Sequence, residues 1–399
     1  LSYSEKGFKV FGIDIATSKV NLINNKKSFI SHISDERIAN SINNKNFVAS
    51  SNFDLISKVD AIIICVPTPL NKYREPDLSY IQAATKAIAP LLKVGDLVIL
   101  ESTSPVGTTE SIAELLAKYR TDLSFPHILG NKSDIRVAYC PERVLPGNIM
   151  EELVSNDRII GGISEACSVE TAALYKAFVL GECHMTDCRT AEMSKLTENS
   201  CRDVQIAFAN ELSVICDDLN IDVWELISLA NRHPRVDILK PGPGVGGHCI
   251  AVDPWFIVNK SPEKAKLIKT ARLVNNEKPD WVINKFKVTV ADYLQANCKK
   301  NVKDVTVACY GLTFKANIDD LRESPANFIV QEIIKCHAGN VLVVEPNIEQ
   351  LPEGYSPEML VSMNEALALA DIHVMLVDHK EFKHHRPKSK FIVDTRGIW

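Results

Sequence analysis

From Thr190 to Leu219 the chain runs for some 30 residues, TAEMSKLTENSCRDVQIAFANELSVICDDL, without a glycine or a proline. A stretch of that length without helix breakers predicts one continuous helix, longer than the usual globular helix, that bridges domains or supports a subunit interface. More helix is expected in VWELISLANRH and from about Glu263 to Ala296, and no strand pattern occurs between roughly 190 and 298. On either side, short β-branched runs alternate with helical patterns. KVFGIDI (9–15), AIIICVP (61–67), LVILES (97–102) and RVAYCPE (136–142) read as strands, with helices at 78–93 and 108–119. The second series comprises VTVACYG (305–311), NVLVVEP (340–346), DIHVMLV (371–377) and FIVD (391–394), with helices at 325–338 and 363–370. Such alternation indicates parallel sheets covered by helices, and the continuous apolar strands indicate burial on both faces. The expected fold class is α/β: two Rossmann-like parallel-sheet domains, 1–185 and 299–399, joined by a central all-helical domain over 186–298.

Composition narrows the partners. The 399 residues carry a net charge of -5, which argues against nucleic acid or an anionic membrane as the main partner. The most basic run, His379 to Lys390 (HKEFKHHRPKSK), reads as a solvated loop. Eleven cysteines scattered through apolar segments, with no secretory signal at the N-terminus, suit a reducing cytoplasm. Cys183 and Cys188 lie five apart, no second pair with ligand spacing follows, and no metal site is read. No apolar run approaches the roughly 20 residues that a membrane span needs.

The chemistry-bearing motifs lie at strand ends, on the long helix and in one glycine-rich loop. In PGPGVGGHCIAVDPWF (241–256) four glycines precede or adjoin a single thiol, Cys249. Either a ligand lies against this backbone and Cys249 is a nucleophile, or the stretch is a tight turn with an incidental buried cysteine. Asp14 closes KVFGIDI, where an acidic residue bonds the adenosine ribose of NAD and repels a 2′-phosphate, or merely caps a turn. No G-x-G-x-x-G precedes it, so the chain reads as lacking one strand and one glycine turn. CVPTP (65–69), ESTSPVGTT (101–109) and YCPERVLPG (139–147) close apolar strands with hydroxyls, prolines, a carboxylate and an arginine. They line a ligand crevice or serve as ordinary turns. On the long helix Lys195 and Asn199 share a face, one turn after Glu192. They polarise a carbonyl, or Glu192 and Lys195 form a solvated i,i+3 pair.

Taken in order, IDI, CVPTP, ESTSPVG, CPER, AEMSKLTEN, GPGVGGHCIAVDP and GLTFKANIDDLRESP resemble the UDP-glucose/GDP-mannose dehydrogenase family of nucleotide-sugar 6-dehydrogenases. The resemblance implies a four-electron oxidation of the sugar C6 with two NAD⁺, through a thiohemiacetal and then a thioester on Cys249. Lys195 and Asn199 would hold the C6 oxygen, while Asp253 and Thr103 would position water and Glu142 would act as acid/base. Asp14, Pro67, Thr68, Thr103 and Arg322 would line the NAD pocket. Arg143, Arg235 from a neighbouring subunit, Gly246, Gly247 and Lys315 would join Glu142, Lys195 and Asn199 around the substrate, making a homodimer the minimal unit. The glycines would let the sugar lie close to the backbone of the thiol. Substrate-facing motifs favour UDP-N-acetyl-D-mannosamine, for bacterial surface polysaccharide; CVPTPLNKYREPDLS is closer to the branch acting on UDP-N-acetylglucosamine. A one-step hydroxyacid-type dehydrogenase and a non-catalytic nucleotide-sugar binding protein are the readings outside this family chemistry.

Overall fold

A computed structural model describes residues 1–30, 33–144 and 149–399. The chain forms two compact units, Leu1–Thr197 and Glu198–Trp399. Their boundary falls inside the long helix, which runs from Cys188 to Asp218. Its 31 residues make a rod of about 45 Å. Asp187 starts it, accepting from the Thr190 amide at 2.9 Å and the Thr190 hydroxyl at 2.6 Å. Asn220, left-handed with φ 55°, follows its last turn.

In the first unit β1 (Val10–Ile13) pairs in parallel with β2 (Phe47–Ser50). A five-stranded sheet follows: β3 (Ala61–Ile64), β4 (Leu97–Leu100), β5 (Arg136–Tyr139), β6 (Arg158–Gly162) and β7 (Cys183–Asp187), side by side in that order. Its pairings are parallel except β5 with β6, which is antiparallel and departs from the all-parallel expectation. Alternation along β4 explains the layering. Val98 and Leu100 point to a core holding Ile81, Ile112 and Leu116 of the helices Ser79–Ile88 and Thr108–Tyr119. Leu97 and Ile99 point to the other, with Ala172 and Tyr175 of the helix Glu165–Tyr175. Each such aliphatic side chain, removed from water, stabilises the sheet by about 1.5–3 kcal/mol.

In the second unit β8 (Val307–Tyr310), β9 (Val341–Val344), β10 (Ile372–Met375) and β11 (Ile392–Asp394) form a wholly parallel sheet in the order β11-β10-β8-β9. The helices Lys266–Ala296 and Pro325–Cys336 share one core with it, through Val282, Phe286, Ile329 and Ile333. Ala366, Phe382 and Trp399 cover its other face. The basic run is therefore not wholly solvated: His379 and Phe382 are buried. His379 Nε2 lies 3.1 Å from Glu345, whose carboxylate also accepts from the Leu312 amide at 2.7 Å. Among the described residues no helix is long and apolar enough to cross a membrane.

One buried histidine makes the second unit acid-sensitive. His373 on β10 is 1% exposed, with Nδ1 2.8 Å from the Tyr310 hydroxyl. Burial pushes its pKa down to about 4, with Asp371 opposing. The native chain takes up this proton near pH 4 and the unfolded chain near 6.5, so the stabilising contribution is intact above 6.5 and lost as pH falls from there towards 4. Urea unfolding is expected to show a loss of about 1–3 kcal/mol from this group over that interval. His373→Asn is expected to flatten the pH dependence.

Candidate active site

Two groups of side chains, one in each unit, carry the chemistry that the motifs suggest. In the first unit the carboxyl ends of β3, β4 and β5 lie side by side, bringing together the loops that begin at Cys65, Glu101 and Cys140. Ser102 donates to the Val66 carbonyl at 2.7 Å, tying the second loop to the first. Thr68 is buried and Pro67 exposed, while Thr103 is half-buried between the buried Ser102 and Ser104. Asp14 follows β1 with a half-exposed carboxylate that accepts from the Ala16 amide at 2.8 Å and lies 3.7 Å from Lys19.

Glu142 is 3.0 Å from Arg158, a guanidinium almost wholly buried, and its other oxygen accepts from the Arg143 amide at 2.7 Å. Arg158 also donates to the Leu153 carbonyl at 3.0 Å and lies over the Tyr175 ring at 5.4 Å. Tyr175 donates to Glu101 at 2.7 Å. Burial, more than the neighbouring Glu142 charge, pushes the Glu101 carboxyl up. Desolvation, then the charges of Glu101 and Glu142, push the Cys65 thiol up and keep it protonated. Arg143 reaches the Asp157 carbonyl at 3.1 Å. The Leu145–Gly147 end of the CPERVLPG motif lies outside the described residues.

The solvated-pair reading of Glu192 and Lys195 does not hold. Glu192 is fully buried and accepts from the Gly107 amide at 2.6 Å, the Thr109 amide at 2.8 Å and the Thr109 hydroxyl at 2.6 Å. It caps the helix Thr108–Tyr119 from a distant part of the chain. Lys195 is 9% exposed and has no ion-pair partner among the described residues.

In the second unit Asn199, one turn further along, donates to Asp253 at 2.5 Å. Asp253 is buried and begins the helix Asp253–Lys260. Cys249 is exposed in the turn before it, its carbonyl accepting from the Val252 amide at 3.1 Å and the Asp253 amide at 2.9 Å. The Arg322 guanidinium, gripped by Asp320 at 2.6 Å and 3.0 Å, lies within electrostatic reach of the thiol. Arg235 and Lys315 are exposed on loops of this unit.

The glycines before Cys249 lie in close contact with the chain itself. A Cβ on Gly246 would stand 2.5 Å from the Glu323 carbonyl oxygen and 2.7 Å from Pro325. Gly247 has φ 80°, and a Cβ there would meet the Phe314 ring at 2.8 Å. The loop carrying GLTFKANIDDLRESP packs on this backbone, and the Gly247 amide donates to the Arg322 carbonyl at 3.1 Å. These glycines therefore have a packing reason of their own, apart from the expectation that they let the sugar lie close to the backbone.

Two supports were not read from the sequence: Arg158 behind Glu142, and a polar network behind Cys249. In the latter, Arg272 bonds Asp203 at 2.8 Å and the Ile250 carbonyl at 3.2 Å, linking the loop to the long helix. Asn275 adds bonds of 3.0 Å and 2.7 Å to Asp203. The available signal was Asp203 standing one turn after Asn199.

Comparison with known proteins places this arrangement. Models of the UDP-glucose/GDP-mannose dehydrogenase family match the NAD binding domain over residues 1–179, the central domain over 189–277 and the UDP binding domain over 308–399. A UDP-N-acetyl-D-mannosamine dehydrogenase of Yersinia pestis is 53% identical over 407 residues, covering 100% of this chain and 95% of that protein. An NDP-N-acetyl-D-galactosaminuronic acid dehydrogenase of Ralstonia solanacearum is 52% identical, covering 98% and 90%. Among solved structures, the UDP-D-ManNAc dehydrogenase of Pyrococcus horikoshii superposes with a TM-score of 0.85 at 35% identity, covering 100% and 92%.

Gly246→Ala is expected to cost roughly 1–3 kcal/mol in chemical denaturation, because a backbone oxygen must move. If the glycine instead made room for a ligand, stability would be unchanged and only KM would rise.

Proposed function

Since the chain belongs to the UDP-glucose/GDP-mannose dehydrogenase family and is an NAD-dependent nucleotide-sugar dehydrogenase, we propose that it oxidises UDP-N-acetyl-D-mannosamine at C6 to the uronate through an adduct on Cys249. The observation that carries this is the setting of the thiol: exposed, beside a guanidinium, in a loop whose following helix is bonded to Asn199. The relatives named above for UDP-N-acetyl-D-mannosamine support the choice of sugar.

Asp14, Pro67, Thr68 and Thr103 suit the adenosine and ribose side of NAD, since the half-exposed Asp14 carboxylate accepts ribose hydroxyls and disfavours a phosphate there. Arg322 is assigned to the cofactor by the family resemblance alone. NAD held there would supply the hydride acceptor for C6, one cofactor molecule for each of the two oxidations.

The residues of the chain do the rest. Lys195, cationic and nearly buried, and the Asn199 amide hold the C6 oxygen as negative charge builds on it. Cys249 Sγ attacks the aldehyde carbon and forms a thiohemiacetal, which retains the reactive aldehyde. Its oxidation leaves a thioester, and water attacks the carbonyl carbon to release the carboxylate and the thiol. Asp253 and Thr103 position that water, while Glu142, bonded to Arg158, moves the proton. Arg143, Lys315, Gly246 and Gly247 support the sugar nucleotide, the glycines by seating the loop around Cys249. The uronate serves bacterial surface polysaccharide assembly, and eleven free cysteines are consistent with work in the cytoplasm.

A homodimer completes the proposal. Phe208 and Ile215, 52% and 46% exposed, stand seven residues apart on one stripe of the long helix, and Leu219, 62% exposed, follows its last turn. The exposed Arg235 then serves the substrate of the neighbouring subunit. Phe208→Asp is expected to give a monomer by light scattering and to lower kcat/KM at least ~10-fold. A monomeric wild-type enzyme of full activity would overturn the dimer.

The wild-type protein with NAD⁺ and UDP-N-acetyl-D-mannosamine is expected to yield two NADH per sugar. Cys249→Ser is expected to cut uronate formation at least ~10³-fold. Turnover of UDP-N-acetylglucosamine alone would move the substrate to the other branch. Undiminished oxidation by Cys249→Ser would remove the covalent step.

A further inference from the structure

A cavity of about 260 Å³ lies in the second unit, away from Cys249 and its partners. The C-terminal turns of the long helix, the Pro241–Gly242 corner, the end of β11 and one face of the helix Lys266–Ala296 enclose it. That face presents Lys278, Trp281 and Lys285, spaced three and four residues apart, and Trp224 contributes a second indole. Lys278 is 4% exposed. Its amine lies 2.5 Å from the Ser213 hydroxyl and 3.6 Å from the centre of the Trp281 ring. No carboxylate among the described residues stands within ion-pair distance of it.

The carboxylates of the wall are committed elsewhere. Asp217 pairs with Lys285 at 2.6 Å. Asp222 caps the helix Val223–Ala230, accepting from the Trp224 amide at 2.8 Å and the Glu225 amide at 3.2 Å. Asp394 takes the amides of Arg396, Gly397, Ile398 and Trp399 at 2.8–2.9 Å. A buried ammonium without a counter-ion releases its proton readily. Burial pushes the Lys278 pKa down to about 7, and Asp217 is the opposing influence.

We infer that Lys278 is the amine of a carbonyl-binding site, where a small planar aldehyde enters the cavity that both indoles line and condenses with Nζ. The lone pair of the neutral amine attacks the carbonyl carbon. The carbinolamine loses water, both hydrogens coming from the amine and the oxygen from the aldehyde, to leave an imine. No oxidant or reductant is needed. Ser213, whose own proton is given to the Asn210 carbonyl at 2.6 Å, accepts from the amine and orients it. Trp224 and Trp281 supply the flat apolar walls that a ring requires. A simple anion fits less well, since the other cation in the wall is already paired. The site is independent of the oxidation proposed above.

Pyridoxal is a suitable probe: the full-length protein is incubated with it at pH 7.5, reduced with borohydride, digested and mapped by mass spectrometry. Burial favours the neutral amine of Lys278 at that pH, whereas an ordinary lysine is almost wholly protonated. Lys278 is therefore expected to carry the adduct at least ~10-fold above the mean of the exposed lysines, with the ratio falling towards one near pH 10. Lys278→Arg, checked for its fold by circular dichroism, is expected to lose that adduct alone. Labelling spread over the exposed lysines with Lys278 at or below their mean would overturn the site. So would a selectivity that does not fall with rising pH, a result obtained from the wild-type protein alone.

Discussion

The buried ion pair between Asp203 and Arg272 holds the thiol loop in place. Both side chains are wholly removed from water and 2.8 Å apart. Taking two charges out of water costs several kcal/mol each, so such a pair persists only where further hydrogen bonds compensate. Here they do in part: Arg272 also bonds the Ile250 carbonyl and Asn276 at 2.9 Å, and Asn275 donates twice to Asp203. Burial still pushes the Asp203 carboxyl up to about 6 against the pull of Arg272. One of its oxygens has no hydrogen bond among the described residues, which accounts for the incomplete compensation. The pair costs folding energy in exchange for geometry. It clamps the residue after Cys249 to two 31-residue helices, the stiffest elements of the chain.

The same network shows why the glycine-rich approach to Cys249 reads differently in sequence and in structure. A sequence announces that side chains must be absent there, but not what occupies the space. The occupant is the chain itself: Phe314, Glu323 and Pro325 press on Gly246 and Gly247. Gly244 likewise approaches Pro325, at 2.9 Å, and Pro279, at 3.2 Å. Pro279 sits inside the helix Lys266–Ala296, where it removes one backbone bond, yet its ring is a packing surface for the loop. The motif thus specifies the support of the thiol as much as the thiol.

Legibility of the fold followed unbroken apolar runs in the sequence. β4, β8 and β10, buried at every position, stand out as apolar runs, as do the helices with one apolar face. β2, β6 and β7 do not. β7 (CHMTD) has no buried position, so its residues carry no hydrophobic pattern. β6 (RIIGG) opens with the arginine that serves Glu142 and ends in two glycines. A Cβ on Gly161 would lie 2.6 Å from Ala191, and one on Gly162 would lie 2.5 Å from Ser168. Gly161 allows close packing on the start of the long helix and Gly162 on the helix that follows the strand, and neither contact leaves a local hydrophobic period. For the same reason the candidate residues themselves were legible as motifs, whereas Arg158, Glu101, Arg272 and Asp203 were not: each acts through a partner far along the chain.

Two cysteines at loop positions stand in opposite electrostatic surroundings. Cys65 closes a strand in a ligand-type loop, so position alone would nominate it as readily as Cys249. Its neighbours are the carboxylates of Glu101 and Glu142, and both oppose a thiolate. Cys249 has a guanidinium within electrostatic reach instead, on the loop packed against its own. Glu142 has the buried Arg158 as its neighbour, and Cys249 has the exposed Arg322. A nearby cation favours a thiolate and nearby carboxylates oppose one, so Cys249 and Cys65 differ in the field around them rather than in their position at a loop.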